Sequence, residues 1–276
     1  MTQRSVLITG CSSGIGLDAA RTLSSRGWHV LATCRKESDC ELLRAEGLES
    51  FPLDYDDSQS ISQGVLHALE LTNGKLDALF NNGAYAIPGL VEDLPRGALR
   101  AIFETNLFGQ FELINGVLPI MRKQGHGRIV NCSSVLGFAA QPFRGAYNAS
   151  KFAMEGLSDT LRLELSDSPI QVILIEPGPI KTLIRQNSIA PFERWVNWKS
   201  SHQRERYENE LCPRLYTPAN IKNKFELLPD AVTEKLIHAL ESTRPRPRYF
   251  VTTPTYLAGF FKRVLSTRWF DRVLSR

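Results

Sequence analysis

Tyr147 and Lys151 stand four residues apart in the run Tyr147-Asn148-Ala149-Ser150-Lys151. On a helix that spacing puts both side chains on one face, with the ammonium within reach of the phenol. A free tyrosine loses its proton only near pH ~10, and a neighbouring cation lowers that value, each unit being about 1.4 kcal/mol. A phenol tuned in this way can exchange a proton with a substrate oxygen. A bare Tyr-x-x-x-Lys is also common on solvated helix faces, so the chemistry depends on what else the chain supplies.

The elements that must position the pair follow one another along the chain. Ser5 to Ile8 is a short apolar strand, Thr9-Gly10-Cys11-Ser12-Ser13-Gly14-Ile15-Gly16 a glycine-rich turn, and Ile15 to about Ser25 a helix carrying Ile15, Ala19, Ala20 and Leu23. Glycines at 10, 14 and 16 let the backbone turn tightly and approach a pyrophosphate, which then meets the unpaired N–H groups of the helix N-terminus. Gly10 to Gly14 also reads G-x-S-x-G, but a nucleophile elbow needs an oxyanion loop earlier in the chain, and only one strand precedes Ser12. Further along lie Asn81-Asn82-Gly83-Ala84, Asn106, Asn131-Cys132-Ser133-Ser134 and Pro177-Gly178-Pro179-Ile180-Lys181-Thr182.

Taken in this order, these motifs resemble the short-chain dehydrogenase/reductase family from about Val6 to Thr182. Within it the chain is most similar to the branch of NADP-dependent aldehyde reductases, retinol dehydrogenases and 17β-hydroxysteroid dehydrogenases. The resemblance implies a catalytic tetrad of Asn106, Ser134, Tyr147 and Lys151. Ser134 would place the substrate oxygen, Tyr147 would exchange the proton, and Lys151 would lower the phenol's pKa and hold the nicotinamide ribose. The Asn106 backbone would keep a water linked to Lys151. Ser133 is the poorer candidate for the serine, because alternation points it away from Tyr147. Cofactor contacts are implied for Gly10, Ser12, Ser13, Gly14, Ile15, Gly16, Asp54 at the adenine, Asn81, Gly83, Tyr147, Lys151, Pro177, Gly178, Ile180, and Thr182 at the carboxamide. The family's usual Asn-Asn-Ala-Gly turn has its last two residues exchanged here, which keeps both side chains small and alters the backbone angles.

The strand His29 to Cys34 ends in Arg35-Lys36, where NAD enzymes place an acidic residue for the ribose 2′-hydroxyl. A guanidinium can grip a 2′-phosphate bidentately. This favours NADP(H) over NAD(H), with Glu37 and Asp39 the nearest carboxylates. The expected reaction is reduction of an aldehyde or ketone, or oxidation of the corresponding alcohol. A nucleotide-sensing or interaction protein on the same fold is the rival reading, which the complete tetrad disfavours.

The remaining pattern predicts a strand over Glu49 to Leu53 and a helix over Ser58 to Leu71 with Ile61, Val65, Leu66 and Leu69 on its apolar side. A strand over Leu76 to Phe80 follows, then a long helix from Pro95 to about Arg122, broken or bent near Asn106-Gly109. Next come a strand over Gly127 to Cys132, a helix carrying Phe152, Met154, Leu157, Leu161 and Leu165 towards the core, and a strand over Gln171 to Ile175. This alternation indicates an α/β fold, a single Rossmann-type domain with a doubly wound parallel sheet and ligands at the strands' carboxyl ends. From Leu183 to Leu228 the periodicity dissolves. A segment of that length reads as a substrate lid, and Phe192, Trp195, Trp198, Tyr207 and Tyr216 suit an apolar substrate or else fasten the lid to the body. Pro229 to Glu241 reads as a helix and Tyr249 to Thr252 as a last strand. Thr255 to Arg276 is a basic amphipathic extension in one or two pieces, which docks on the body, joins a partner subunit or lies on an anionic membrane surface. Docking or dimerisation ranks first, and a homo-oligomer is expected.

The chain has 276 residues, 42% of them hydrophobic and 22% charged, and a net charge of +4, which excludes global disorder and implies no nucleic-acid partner. Five dispersed cysteines without paired spacing suggest reduced thiols, and five scattered histidines predict no metal. The N-terminus offers no signal segment and no apolar run approaches a membrane span, so a cytoplasmic protein is expected, peripheral to the membrane if the tail makes that contact.

Overall fold

A computed structural model of the protein describes residues 3–217 and 225–274. Residues 218–224 of the expected lid and Arg276 of the basic tail lie outside the described residues, as do Met1 and Thr2. Seven parallel strands form one sheet in the order β3-β2-β1-β4-β5-β6-β7. They are β1 (Ser5–Thr9), β2 (His29–Cys34), β3 (Glu49–Pro52), β4 (Ala78–Asn81), β5 (Gly127–Cys132), β6 (Ile170–Pro177) and β7 (Arg248–Val251). The order reverses between β1 and β4, whose carboxyl ends, Thr9 and Asn81, flank the crevice where such sheets take ligands.

Helices cover both faces because the strands are apolar on both. Val6 and Ile8 of β1 enter one core with Ala19 and Leu23 of α1 (Gly14–Ser25), while Leu7 points into the other with Ile61 of α3 (Ser58–Leu71). Between them in sequence, α2 (Glu37–Ala45) packs on β2 and β3. Leu66, expected on the apolar side of α3, is exposed. The helix approaches the sheet at Gly64, where a Cβ would come within 2.9 Å of Leu53, and this close approach rotates the buried face onto Ile61, Gly64, Val65 and Ala68.

The expected break in the long helix is a π-helical turn over Glu104–Phe108, joining α4 (Arg96–Phe103) to α5 (Gly109–Gln124). Helix α6 (Gly145–Glu164) carries Tyr147 and Lys151. It buries Met154 and Leu161, but Phe152 and Leu157, expected to face the core, are exposed. The buried stripe runs instead through Tyr147, Lys151, Glu155 and Ser158, because this helix turns a polar face to the end of the sheet.

Residues 183–217, part of the expected lid, take a definite structure. The segment is helical in short pieces, α7 (Ile184–Asn187), α8 (Ile189–Trp195), α9 (Arg204–Arg206), a π turn over Tyr207–Leu211 and α10 (Cys212–Tyr216). Pieces of three to seven residues are too short to show a period. Their aromatics fasten them down. Phe192 and Tyr207 are wholly buried, Trp198 stacks on Tyr207, and the Tyr207 hydroxyl donates to Asp93 (2.7 Å) and accepts from the Leu90 N–H (2.9 Å). Tyr216 stays half-exposed and donates to Glu193. The chain closes with α11 (Asp230–Glu241), β7 and the extension, which forms two helices, α12 (Thr253–Val264) and α13 (Thr267–Leu274).

Candidate functional site

The glycine turn opens α1 at the carboxyl end of β1. Gly10 has φ +69°, and a Cβ there would lie 2.7 Å from the Cα of Gly83, so the turn after β1 and the turn after β4 touch backbone to backbone. Gly83, on the exchanged position, is itself closed in by the ring of Tyr55, whose Cε2 would lie 3.1 Å from a Cβ. Any side chain on Gly16 would enter the carbonyl oxygen of Gly10. Asn82 pins the arrangement, donating from its backbone N–H to the Thr9 hydroxyl (2.9 Å) and from its amide to the Thr9 carbonyl (3.0 Å).

Ser13 is the N-cap of α1 but its side chain makes no cap bond, and the first turn holds no acidic residue. The amides there, with Ser12 exposed and Ile15 half-buried, are left to meet an anion. Thr182 is brought against this turn, its Cγ2 3.0 Å from where a Cβ of Gly14 would lie. Ile180 is held from the other side by a bridge to Leu227, and Gly178 abuts Thr252 and Thr255. Arg35 and Lys36 are exposed at the end of β2 and make no ion pair among the described residues. Glu37, the nearest carboxylate, is taken by Arg44. The Asp54 carboxylate accepts the N–H of Asp56, at 3.1 Å. These features fit a dinucleotide: a backbone cradle too tight for side chains, an uncapped helix end, and two cations beyond the second strand.

A polar spine runs under the cradle. The Tyr55 hydroxyl joins Thr9 (2.7 Å) to Asn81 (2.8 Å), the Asn81 amide donates to Asn131 (3.0 Å), and Asn131 donates to Ser158 of α6 (2.9 Å). Tyr55 is buried in this chain of bonds, and burial pushes its phenol well above its ordinary pKa. Nothing in the sequence singled out Tyr55, and Asn131 stood there only as part of a strand-end motif, because their partners are distant in the chain.

Asn106 lies in the π turn, wholly buried. Its amide donates to the Tyr85 carbonyl (2.9 Å) and the Ser150 hydroxyl (3.2 Å), and its oxygen accepts the Tyr85 N–H (3.1 Å). The Ser134 hydroxyl accepts from the Leu136 N–H (3.1 Å) and faces the Tyr147 phenol closely enough to lower its pKa. Ser133 points away, into the space beside Gly137 and Glu155, as alternation requires.

Lys151 is buried and donates from Nζ to the Cys132 carbonyl at 2.7 Å, with its ammonium 5.8 Å from the centre of the Tyr147 ring. Burial lowers its pKa, opposed by Cys132 and Glu155. For Tyr147 burial dominates as well and raises the phenol's pKa, against the lowering expected from a cation four residues away. The desolvation of a phenolate outweighs what the Ser134 hydroxyl and the Arg144 guanidinium return. A cation absent from the sequence reading does act on the phenol. Arg144, half-buried one turn before Tyr147, pulls its pKa down. Phe143, which precedes it, is held at φ +62° and packs edge-on against Tyr207, so the helical segment after β6 braces the entry to α6.

Tyr147 belongs to a buried apolar cluster that includes Ile87, Phe143 and Leu211 and is shared by the body and that helical segment. All five cysteines are free thiols, and burial lifts Cys34 to about 12, which leaves it inert.

Comparison with known proteins gives this arrangement its kinship. The "Uncharacterized oxidoreductase YbbO" of Escherichia coli (strain K12) is 40% identical over 272 residues, 99% of this chain and 94% of that protein. Human retinol dehydrogenase 8 is 34% identical, over 88% of this chain and 79% of its own length. A short-chain dehydrogenase/reductase from Burkholderia phymatum, solved in complex with NAD, shares the fold with a TM-score of 0.77 at 24% identity, covering 99% of this chain and 95% of that one. Since the model of the short chain dehydrogenases matches residues 4–191, the chain belongs to that family of NAD(P)-binding oxidoreductases.

Proposed function

We propose that the protein uses NADP(H) to reduce an apolar aldehyde or ketone, or to oxidise the corresponding alcohol, with Tyr147 as the proton donor. The observation that carries this reading is the buried phenol of Tyr147, kept protonated by its surroundings and faced by the Ser134 hydroxyl within an apolar cluster. Ser134 hydrogen-bonds the substrate oxygen and places it, and Tyr147 gives its proton to that oxygen. When bound, the nicotinamide supplies the hydride for the carbonyl carbon. Lys151, anchored on the Cys132 carbonyl, holds the ribose, and the Asn106 backbone holds the water through which Tyr147 regains its proton. The turn from Gly10 to Gly16 holds the pyrophosphate, with Asn81 and Gly83 beside it and Asp54 at the adenine. Pro177, Gly178, Ile180 and Thr182 hold the nicotinamide end. Arg35 and Lys36 take the 2′-phosphate, for which the Glu37–Arg44 pair leaves them free. Residues 183–228 act as the lid over an apolar substrate, and the name of the human relative, retinol dehydrogenase 8, supports that substrate class.

The test is loss of NADPH absorbance with a panel of medium-chain aldehydes, aromatic aldehydes and a steroid ketone, run beside NADH. Consumption of NADPH with at least one carbonyl, and little of NADH, is the expected result. Binding of NADPH without turnover of any carbonyl or alcohol would overturn the reading in favour of nucleotide sensing.

A further inference from the structure

The two C-terminal helices are docked on the body by one side only. Thr255, Ala258 and Gly259 of α12 turn inward, Phe270 of α13 is buried near Ala139, and Lys262 donates to the Phe138 carbonyl at 2.6 Å. Docking, ranked first from the sequence together with dimerisation, thus accounts for half of the extension's apolar residues.

The other half is left about half-exposed. Tyr256, Phe260 and Val264 repeat at every fourth residue along α12, Leu257 flanks them, and Trp269 and Val273 repeat in the same way on α13. All six are 45–59% exposed. Fully burying a side chain of this size contributes roughly 1.5–3 kcal/mol, so such a stripe in water is costly unless something covers it. Lys262, Arg263, Arg268 and Arg272 are interleaved with it and Asp271 is the one acid within residues 253–274, leaving a surplus of three positive charges. The Arg272 guanidinium lies over the Trp269 ring, 4.7 Å from its centre. Beside α12 a cleft of about 460 Å³, lined by Glu234 as well as by Lys235 and Arg246, shares Tyr256 and Arg263 with the stripe.

The charge decides between occupants. A second copy meeting this face about a two-fold axis would set like charges against each other. An anionic bilayer meets both features, since its headgroup boundary accepts aromatic and aliphatic side chains while its phosphates attract the cations. We propose that α12 and α13 form a docking surface for an anionic lipid bilayer, the apolar stripe entering the headgroup boundary and Arg263 and Arg268 meeting the lipid phosphates. No described helix is long and apolar enough to cross a membrane, so the contact is with the surface. The proposal does not depend on which substrate the enzyme takes.

Sedimentation of the full-length protein with vesicles tests it. Phosphatidylcholine vesicles containing phosphatidylglycerol should carry the protein down at low salt and release it at high salt, while pure phosphatidylcholine vesicles should carry down little. Arg263→Gln and Arg268→Gln should each weaken binding roughly fivefold, the equivalent of about 1 kcal/mol per cation near an anionic surface. Phe260→Ser and Trp269→Ser should weaken it with thermal unfolding unchanged, since both side chains are exposed; the wild-type arms decide the matter if a variant fails to fold. Equal sedimentation with the two vesicle types at low salt would overturn the proposal. So would a dimer in sedimentation velocity that Phe260→Ser dissociates, because the face would then belong to a second copy.

Discussion

The Lys151 Nζ is bonded to the main-chain carbonyl of Cys132 at the end of β5, 2.7 Å away, while the phenol it was expected to acidify is governed by burial. The sign of this effect can be read in a pH profile. A raised phenol pKa keeps the proton donor protonated through neutral and alkaline pH. Carbonyl reduction followed as kcat/KM, which reports the free enzyme, should therefore show no falling limb from Tyr147 below pH ~10. A limb between pH ~6 and ~8 that moves in Tyr147 variants would show instead that the cation dominates.

Replacing Tyr147 by phenylalanine removes the proton and little else, because the residue belongs to a buried apolar cluster that tolerates the ring. Turnover should fall roughly 10²- to 10⁴-fold with NADPH affinity nearly unchanged. Titration calorimetry beside steady-state kinetics checks both halves, and near-wild-type turnover would refute the role assigned to the phenol.

Arg35 is exposed and has no ion pair among the described residues, so its truncation disturbs no internal contact. Arg35→Ala should lower kcat/KM for NADPH roughly 10- to 100-fold, the scale of a hydrogen bond to a charged group, and leave NADH almost untouched. Equal losses with both cofactors would mean that Arg35 does not read the 2′-phosphate.

Away from the site, Arg248 of β7 bonds Glu155 and Asp159 of α6 and Glu176 of β6. Glu176 is wholly buried, and burial, with Glu155 beside it, raises its carboxyl from 4.5 to about 8. Below 4.5 the carboxyl is protonated in folded and unfolded chains alike. Between 4.5 and about 8 the folded chain keeps a proton that the unfolded chain releases, so this group's contribution to stability declines as pH rises through that window and is level above it. Glu176→Gln removes the titration, and the variant should gain stability relative to wild type from pH ~5 to ~8 in urea unfolding. A difference that stays constant across the window would exclude Glu176 as its source.

Much of this molecule was legible in local patterns. The strand, glycine turn and helix at the N-terminus, the bend at Asn106 and the polarity of the Ser133-Ser134 pair each follow from backbone requirements that act over a few residues. The helical pieces of residues 183–217 were not legible, because they are shorter than the period that reveals a helix. Leu66, Phe152 and Leu157 were read as core because they are apolar, yet close packing at Gly64 and the inward polar face of α6 leave them in water.

Sequence by itself determined the doubly wound α/β order, the backbone cradle and the identity of Tyr147 and Lys151 as neighbours on one helix, since spacing and side-chain size suffice for these. Tertiary structure alone decided the direction of the phenol's pKa, the polar spine from Tyr55 to Ser158, and the half-exposed basic face of α12 and α13. Burial and long-range hydrogen bonds depend on which residues meet across the fold, and the free energy of removing a charge from water is set by that meeting rather than by the neighbours in the chain.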